Sequence, residues 1–247
     1  NGVNAAVLGA GPAGLAAAYF LSKAGFRVTV LERAKSAGGV VTNVLPSFRI
    51  PVEAIQADID FIKAHGVEFR FGVQEQFSIE ALKQQGFKYI FIGVGAQVSG
   101  EMKLSGDNSN VRHALDFLRE FKTNPDALKP GKSIAIVGGG NTAMDSARAA
   151  TRIPGVENVA IIYRRTKEQM PADLEEFDNA LKESVKFMPL LLPENFSSAG
   201  VLTCRKMKLG DVDASGRQRP EPTGETVKLK VDTLITAIGE KVNAALL

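Results

Sequence analysis

The sequence predicts an α/β protein with two Rossmann-like nucleotide-binding domains, each a three-layer arrangement of helices around a parallel sheet. The main observation is a long-range repeat, in which residues 5–14 resemble residues 133–143. Each segment begins with an apolar run typical of a buried parallel strand and continues into a glycine turn and an alanine-rich helical stretch. A second β-like run follows each helix, at residues 26–31 and 159–163, and completes a βαβ unit.

The composition is that of a soluble globular protein. The 247 residues are 45% hydrophobic and 23% charged, enough for one large domain or two medium ones. The net charge is only +3, and the lysines and arginines are interspersed with 27 acidic residues instead of forming basic runs. This pattern argues against a nucleic-acid partner. The uncharged stretch 5–22 contains Pro12 and several glycines, so we expect no membrane span.

The single cysteine limits the redox chemistry of the chain. Cys204 can form neither an internal disulfide nor a C-x-x-C pair, and one thiol cannot ligate an iron–sulfur cluster. We therefore expect a reducing, cytoplasmic location. His65 and His113 lack metal-ligand spacing and are interpreted as structural, and no serine nucleophile elbow, zinc motif or Walker loop occurs.

Further elements are predicted from apolar periodicity and from turn residues. Helices are expected at residues 51–65 and 115–121. Strands are expected at 69–73, 89–94, 185–192, 203–209 and 226–235. Residues 211–224, which contain Gly216, Pro220, Pro222 and Gly224, are expected to form a surface hairpin loop.

The first glycine turn has the pattern of a dinucleotide-binding fingerprint. Gly9 allows a tight bend, Gly11 lets the backbone approach a pyrophosphate, and Gly14 lets the helix pack closely on the strand. Glu32 ends the second strand, where a carboxylate can accept hydrogen bonds from a ribose. The order of strand, turn, helix and acid predicts a dinucleotide site rather than a merely glycine-rich turn.

The second glycine turn differs from the first in two ways. Its third glycine is replaced by Ala143, and its second strand ends in Arg164 and Arg165 where an acid would stand. A carboxylate there would repel a 2′-phosphate, whereas paired guanidinium groups would bind it through charge-assisted hydrogen bonds. The second nucleotide is therefore predicted to be NADP(H), the alternative being that both arginines are ordinary solvated charges.

Four motifs give the chain its family resemblance. They are G-G-V-V-T-N-V-L-P-S-F-R-I-P at residues 38–51, G-G-G-N-T-A-M-D at 138–145, Y-R-R-T-K-E-Q-M-P-A at 163–172 and T-A-I-G-E at 236–240. With these motifs the chain resembles the two-dinucleotide-binding flavoproteins, and among them the glutamate synthase small-subunit branch. Within that branch it most resembles a selenate reductase iron–sulfur subunit.

The resemblance implies an NADPH-binding domain, residues 98–238, inserted into an FAD-binding domain formed by residues 1–97 and 239–247. The residues implied to contact FAD are Gly9, Gly11, Pro12, Ala13, Gly14, Glu32, Arg33, Gly38, Gly39, Val40 and Arg49. Those implied to contact NADPH are Gly139, Gly140, Asn141, Thr142, Arg164, Arg165 and the turn of Ala237, Ile238 and Gly239. The family's C-terminal Gly-Asp segment and its cysteine-rich domain do not occur in these residues, so the chain is expected to be a fragment.

The resemblance also implies a function. An NADPH-dependent flavoprotein oxidoreductase is expected, which passes a hydride from NADPH to FAD and electrons to 4Fe-4S clusters. These clusters would lie in other iron–sulfur and substrate-reducing domains or subunits. Two alternatives stay open: a non-catalytic nucleotide-binding scaffold of a larger complex, and a stand-alone ferredoxin–NADP reductase.

Overall fold

The chain forms two compact units. The computed structural model describes residues 2–74, 77–214 and 216–243. One unit contains the described residues up to Val98 and those from Lys241 onward, and the other contains Ser99–Glu240. The expected FAD-binding segment 239–247 ends in residues 244–247, which lie outside the described residues.

The first unit is built on a four-stranded parallel sheet. Its elements are β1 (Asn4–Leu8), α1 (Pro12–Lys23), β2 (Arg27–Glu32), α2 (Val40–Asn43), α3 (Val52–Ala64), β3 (Glu68–Phe71), α4 (Ile79–Gln84), β4 (Tyr89–Ile92) and β5 (Ala96–Ser99). The strand order is β3-β2-β1-β4. Strand β1 lies inside the sheet and its apolar residues are buried on both faces, which explains why its sequence is continuously apolar.

The second unit contains a five-stranded parallel sheet and a smaller, mainly antiparallel sheet. Its elements are β6 (Ser105–Gly106), β7 (Val111–His113), α5 (Ala114–Thr123), β8 (Ser133–Val137), α6 (Asn141–Thr151), β9 (Asn158–Tyr163), α7 (Leu174–Lys182), β10 (Lys186–Pro189), β11 (Leu191–Phe196), β12 (Val201–Val212), β13 (Gln218–Lys230) and β14 (Thr233–Thr236). The parallel sheet has the order β10-β9-β8-β14-β7, and the smaller sheet has the order β13-β12-β11-β6. Short 3-10 turns cover Pro125–Ala127 and Lys167–Gln169, and β15 (Glu240–Val242) pairs with β5.

Helix α6 is the most buried helix of the second unit and holds α7 in place. Alanines on α6 are fully buried, because their small side chains let the helix lie close to its neighbours. The buried Arg148 donates hydrogen bonds of 2.7 Å to Glu176 Oε2 on α7 and 3.0 Å to Glu183 Oε1 just after α7. Burial opposes ionisation of Glu183, but hydrogen bonds from Arg152 and Arg148 outweigh it and lower its pKa.

Two of the strands predicted from the sequence are each two strands in the structure. Residues 185–192 divide into β10 and β11, which belong to different sheets, and Leu190 between them has a φ of +57°. Residues 226–235 divide in the same way between β13 and β14. A strand-like sequence predicts extended backbone but does not reveal where the chain passes from one sheet to another.

The predicted surface loop 211–224 is wrong for most of its length. Strand β12 continues to Val212 and β13 begins at Gln218, so the connection is only the five residues between them. Pro220 pairs with Leu209, and Pro222 pairs with Met207. Prolines fit here because β13 is an edge strand, on which one row of N–H groups needs no strand partner.

Candidate dinucleotide-binding sites

The first glycine turn leaves no room for side chains at two of its glycines. Gly9 has a φ of +95°, and a Cβ there would lie 2.5 Å from the carbonyl oxygen of Gly93. A Cβ on Gly14 would lie 1.9 Å from the carbonyl oxygen of Gly9, because α1 begins close to the end of β1. Both positions therefore require glycine for the packing of the turn itself.

Gly11 differs from these two because the space beside it is open. Its φ of −75° and ψ of 178° suit any residue, and the nearest atom to an added Cβ would be the Gly39 Cα at 4.0 Å. Gly11 caps α1, where Pro12 has no N–H and the N–H groups of Ala13 and Gly14 lack intrahelical partners. An open backbone surface at a helix N-terminus fits a diphosphate.

Glu32 performs a structural task that the sequence did not indicate. Its carboxylate is buried at the end of β2, where Oε2 accepts a hydrogen bond of 2.6 Å from Ala10 N and Oε1 accepts one of 2.8 Å from Ala34 N. The carboxylate thereby connects the glycine turn to the loop after β2. Each carboxylate oxygen has a second lone pair, so a ribose hydroxyl could still donate to it.

Replacing Glu32 with glutamine is expected to lower the free energy of unfolding by about 1–3 kcal/mol, because one backbone N–H would face an amide NH₂ instead of an acceptor. Urea denaturation followed by circular dichroism measures this change. Asp58→Asn, which neutralises an exposed carboxylate on α3, is the matched control and should stay within about 0.5 kcal/mol of wild type. Equal stability of the two variants would contradict the role given to Glu32.

The loop after β2 folds back onto the first glycine turn. The N–H of Gly38 donates to the carbonyl oxygen of Ala10 at 2.7 Å. Gly39 has a φ of +56°, and a Cβ on it would lie 2.8 Å from the Gly11 Cα. Val40, the first residue of α2, follows directly. The loop thus borders the open space beside Gly11.

Thr42 is a residue of this region that sequence reasoning missed. Its Oγ1 is buried and has no hydrogen-bond partner among the described residues. The same oxygen would lie 1.7 Å from a Cβ on Gly38. Buried hydroxyls are normally hydrogen-bonded, so an orphaned one beside the first turn fits a site for a polar ligand. Only its position four residues after Gly38 could have drawn attention to it.

Two arginines of the first unit are predicted to contact FAD. Arg33 follows Glu32, and its Nη2 donates to Gln97 Oε1 at 2.8 Å. Arg49 is half-buried in the turn between α2 and α3, where its backbone N–H donates to the carbonyl oxygen of Pro46 at 2.9 Å. The contacts of both side chains with a flavin nucleotide stay predictions.

The second glycine turn is packed tightly on one side. A Cβ on Gly138 would lie 2.2 Å from the carbonyl oxygen of Ala237, and one on Gly139 would lie 2.5 Å from the ring of Tyr163. The Ala237 N–H donates to the carbonyl oxygen of Val137 at 2.8 Å, which holds this turn beside the end of β8. The next two residues of the turn are the exposed Ile238 and Gly239, whose φ is +102°.

Gly140 occupies the same position in the second turn as Gly11 in the first. It caps α6 with a φ of −99° and a ψ of 177°, and the nearest atom to an added Cβ would be Pro171 Cγ at 4.0 Å. The third position, Ala143, is fully buried, so its methyl group is accommodated where the first turn requires Gly14. The second turn therefore also offers an open backbone surface at a helix N-terminus.

Asn141 is the first residue of α6 and holds the segment before α7 against the turn. Its Nδ2 donates to Asp173 Oδ2 at 2.8 Å, and its Oδ1 accepts from Asp173 N at 2.9 Å. The N–H of Ala172 also donates to the carbonyl oxygen of Gly139 at 3.1 Å. The half-buried Thr142 follows, and its carbonyl oxygen accepts from Ser146 Oγ. The M-P-A motif thus lies beside the turn.

The two arginines that follow β9 have different surroundings. Arg164 is exposed. Arg165 is buried, with its Nε donating to the carbonyl oxygen of Gln218 at 2.8 Å and its Nη2 donating to Asp213 Oδ2 at 3.0 Å. The structure therefore does not present the two guanidinium groups as an equivalent pair.

The histidines and the cysteine have structural surroundings. The Nδ1 of His65 lies 2.8 Å from the carbonyl oxygen of Phe61, and the Nδ1 of His113 lies 3.1 Å from Thr236 Oγ1. Burial and the nearby Glu194 raise the pKa of the Cys204 thiol to about 12, so it stays protonated and unreactive. Over residues 2–74, 77–214 and 216–243, no three His, Cys, Asp or Glu side chains form a group that could hold a metal.

The geometry of the two turns agrees with a match to a known family. The model for the pyridine nucleotide-disulphide oxidoreductases matches residues 3–247. The chain belongs to this family. The predicted α/β class with two Rossmann-like domains is thereby confirmed. Within the described part of the chain, no helix is both long enough and apolar enough to cross a membrane.

The relatives of the chain confirm its predicted resemblance to the glutamate synthase small-subunit branch of the family. Over 96% of this chain, the sequence is 56% identical to YgfK of Escherichia coli K12. Over 95% of this chain, it is 39% identical to the NADPH-Fe(3+) oxidoreductase subunit beta of Geobacter sulfurreducens. It is 31% identical to the glutamate synthase [NADPH] small chain of Azospirillum brasilense over 96%. The matches span 23%, 37% and 53% of these relatives, so the chain covers only part of their length.

Solved structures share the fold. FprA from Mycobacterium tuberculosis in complex with NADPH has a TM-score of 0.83 and 17% sequence identity, and the likeness covers 97% of this chain and 71% of FprA. Thioredoxin reductase from Lactococcus lactis has a TM-score of 0.71 and 19% identity, covering 99% of this chain and 80% of the reductase. The two-dinucleotide-binding flavoprotein fold is therefore common to all three proteins.

Proposed function

We propose that this chain is an NADPH-dependent flavoprotein oxidoreductase module that binds FAD at the first glycine turn and NADPH at the second. The observation that carries the proposal is the shared geometry of Gly11 and Gly140. Each glycine follows an inner strand of a parallel sheet, caps a helix of at least 11 residues and faces open space. Ligands of open α/β sheets bind at this end of the strands.

The residues that distinguish the two turns support the assignment of the nucleotides. FAD is assigned to the first turn, where the carboxylate of Glu32 suits a ribose, and the orphaned hydroxyl of Thr42 suits a polar ligand. NADPH is assigned to the second turn, where the exposed Arg164 suits a 2′-phosphate. The names of the Geobacter and Azospirillum relatives also include NADPH.

The chemistry resides in the cofactors, since bound NADPH supplies a hydride and bound FAD accepts it. The chain's own residues bind the two dinucleotides, orient them and exclude water. This transfer requires no acid or base from the protein, so we assign no catalytic residue. In the intact protein, electrons would continue to 4Fe-4S clusters in iron–sulfur and substrate-reducing domains or subunits, and the cytoplasm suits this exchange.

The purified protein is expected to show the visible absorption bands of oxidised flavin and to lose them on anaerobic addition of NADPH. Addition of NADH at the same concentration should bleach the bands much more slowly, because the 2′-phosphate is missing. A colourless protein that also fails to take up added FAD would overturn the proposal and favour a nucleotide-binding scaffold.

A further inference from the structure

The tip of the β12–β13 hairpin is hydrogen-bonded to the segment that directly follows β9. At the tip, the Asp213 N–H donates to the carbonyl oxygen of Arg217 at 2.8 Å, and the Arg217 N–H donates to Asp213 Oδ1 at 3.3 Å. The Nη2 of Arg165 donates to Asp213 Oδ2, and its Nε donates to the carbonyl oxygen of Gln218, the first residue of β13. The Gln169 Nε2 adds a hydrogen bond of 3.2 Å to Gln218 Oε1.

These contacts leave Arg165 poorly suited to bind a phosphate directly. Its side chain is only 6% exposed, and its charge is already balanced by the carboxylate of Asp213, which is 21% exposed. Turning the guanidinium toward a phosphate would break this pair. It would also leave the Asp213 carboxylate near a second anion, and both changes are unfavourable in a partly buried place. The neighbouring Arg164 is exposed and carries neither cost.

We propose that the two arginines have different roles: Arg164 is the ligand of the 2′-phosphate, and Arg165 is a positioning residue. Through its hydrogen bonds to Asp213 and Gln218, Arg165 joins the hairpin tip to the end of β9. This inference rests on the proposed binding of NADPH at the second turn. The bonds of Arg165 fix the backbone next to Arg164, so the phosphate ligand is held in place by its buried neighbour. The hairpin tip thereby contributes to nucleotide selection without touching the nucleotide.

A charge-neutral replacement of the ion pair separates positioning from direct binding. Arg165→Gln combined with Asp213→Asn keeps the net charge and lets two amides hydrogen-bond where the ion pair stood. We expect this double variant to keep the dissociation constant of NADPH within about fivefold of wild type, whereas Arg164→Gln should raise it at least about tenfold, the effect of losing one charge-assisted bond. Isothermal titration calorimetry with NADPH and NADH measures both.

Limited trypsin digestion supplies a readout of the hairpin tip itself. Arg165→Ala and Asp213→Ala should each speed cleavage after Arg217 at the tip, and Arg164→Gln should be cleaved there at the wild-type rate. If the neutral double variant loses as much NADPH affinity as Arg164→Gln, Arg165 is a phosphate ligand and the inference is overturned. If Arg164→Gln leaves the preference for NADPH over NADH unchanged, the proposed NADPH site is wrong, while the trypsin result still tests the hairpin contact.

Discussion

Replacing Arg164 and Arg165 together with alanine is expected to raise the dissociation constant of NADPH by about 100-fold, while that of NADH changes less than about threefold. The loss of Arg164 removes a charge-assisted hydrogen bond to the phosphate that contributes about 1.5–3 kcal/mol, and each 1.4 kcal/mol is about tenfold in affinity. The loss of Arg165 adds to this effect, because the backbone next to residue 164 is then no longer fixed. NADH lacks the 2′-phosphate, so its binding does not use the Arg164 bond. Equilibrium titration with both nucleotides measures the two constants.

The matched control is the double variant Lys129→Ala and Lys182→Ala. These lysines are exposed residues of the same unit and lie outside β9 and the segment that follows it, so the control removes the same charge at other positions. It should weaken NADPH binding only slightly, through long-range electrostatics that added salt screens. An equal loss of affinity for NADPH and NADH in the arginine variant would show that the arginines support the fold and do not select the phosphate.

Adding a methyl group at Gly11 or Gly140 is expected to separate the two nucleotide sites. Gly11→Ala should reduce FAD affinity by about 100-fold or more, and Gly140→Ala should do the same for NADPH, since the methyl group would keep the pyrophosphate from the backbone and a loss of about 2.8 kcal/mol is about 100-fold. In both cases the added Cβ has no neighbour closer than 4.0 Å in the protein and the backbone angles suit alanine. The melting temperatures of the ligand-free variants should therefore match wild type.

Each variant serves as the control for the other. Gly11→Ala should bind NADPH normally, and Gly140→Ala should retain flavin when reconstituted and measured by visible absorption. Gly14→Ala provides the contrast, because its Cβ would overlap the Gly9 carbonyl at 1.9 Å and must lower the melting temperature. Unchanged affinity for both nucleotides in Gly11→Ala and Gly140→Ala would contradict the assignment of both turns.

Much of the parallel-sheet framework could be predicted because it is local in sequence. Strand, glycine turn and helix occupy consecutive residues in 5–14 and again in 133–143, and an inner parallel strand must be apolar along its whole length. The breaks near Leu190 and Val231 were not predictable, because the segments on both sides of each break are extended and have strand-like sequences. The length of β13 was also hidden, since Pro220 and Pro222 signal a loop unless the strand is known to lie at an edge.

The sequence by itself determined the family, the two glycine turns and the acidic or basic residues that follow them, because these features depend on the spacing of residues along one βαβ unit. Only the tertiary structure decided how those residues are used. The contact of Glu32 with Ala10 and that of Arg165 with Asp213 join residues far apart in the chain. Burial and hydrogen bonding depend on which segments are in contact in the folded chain. The spacing of residues along the sequence does not show these contacts.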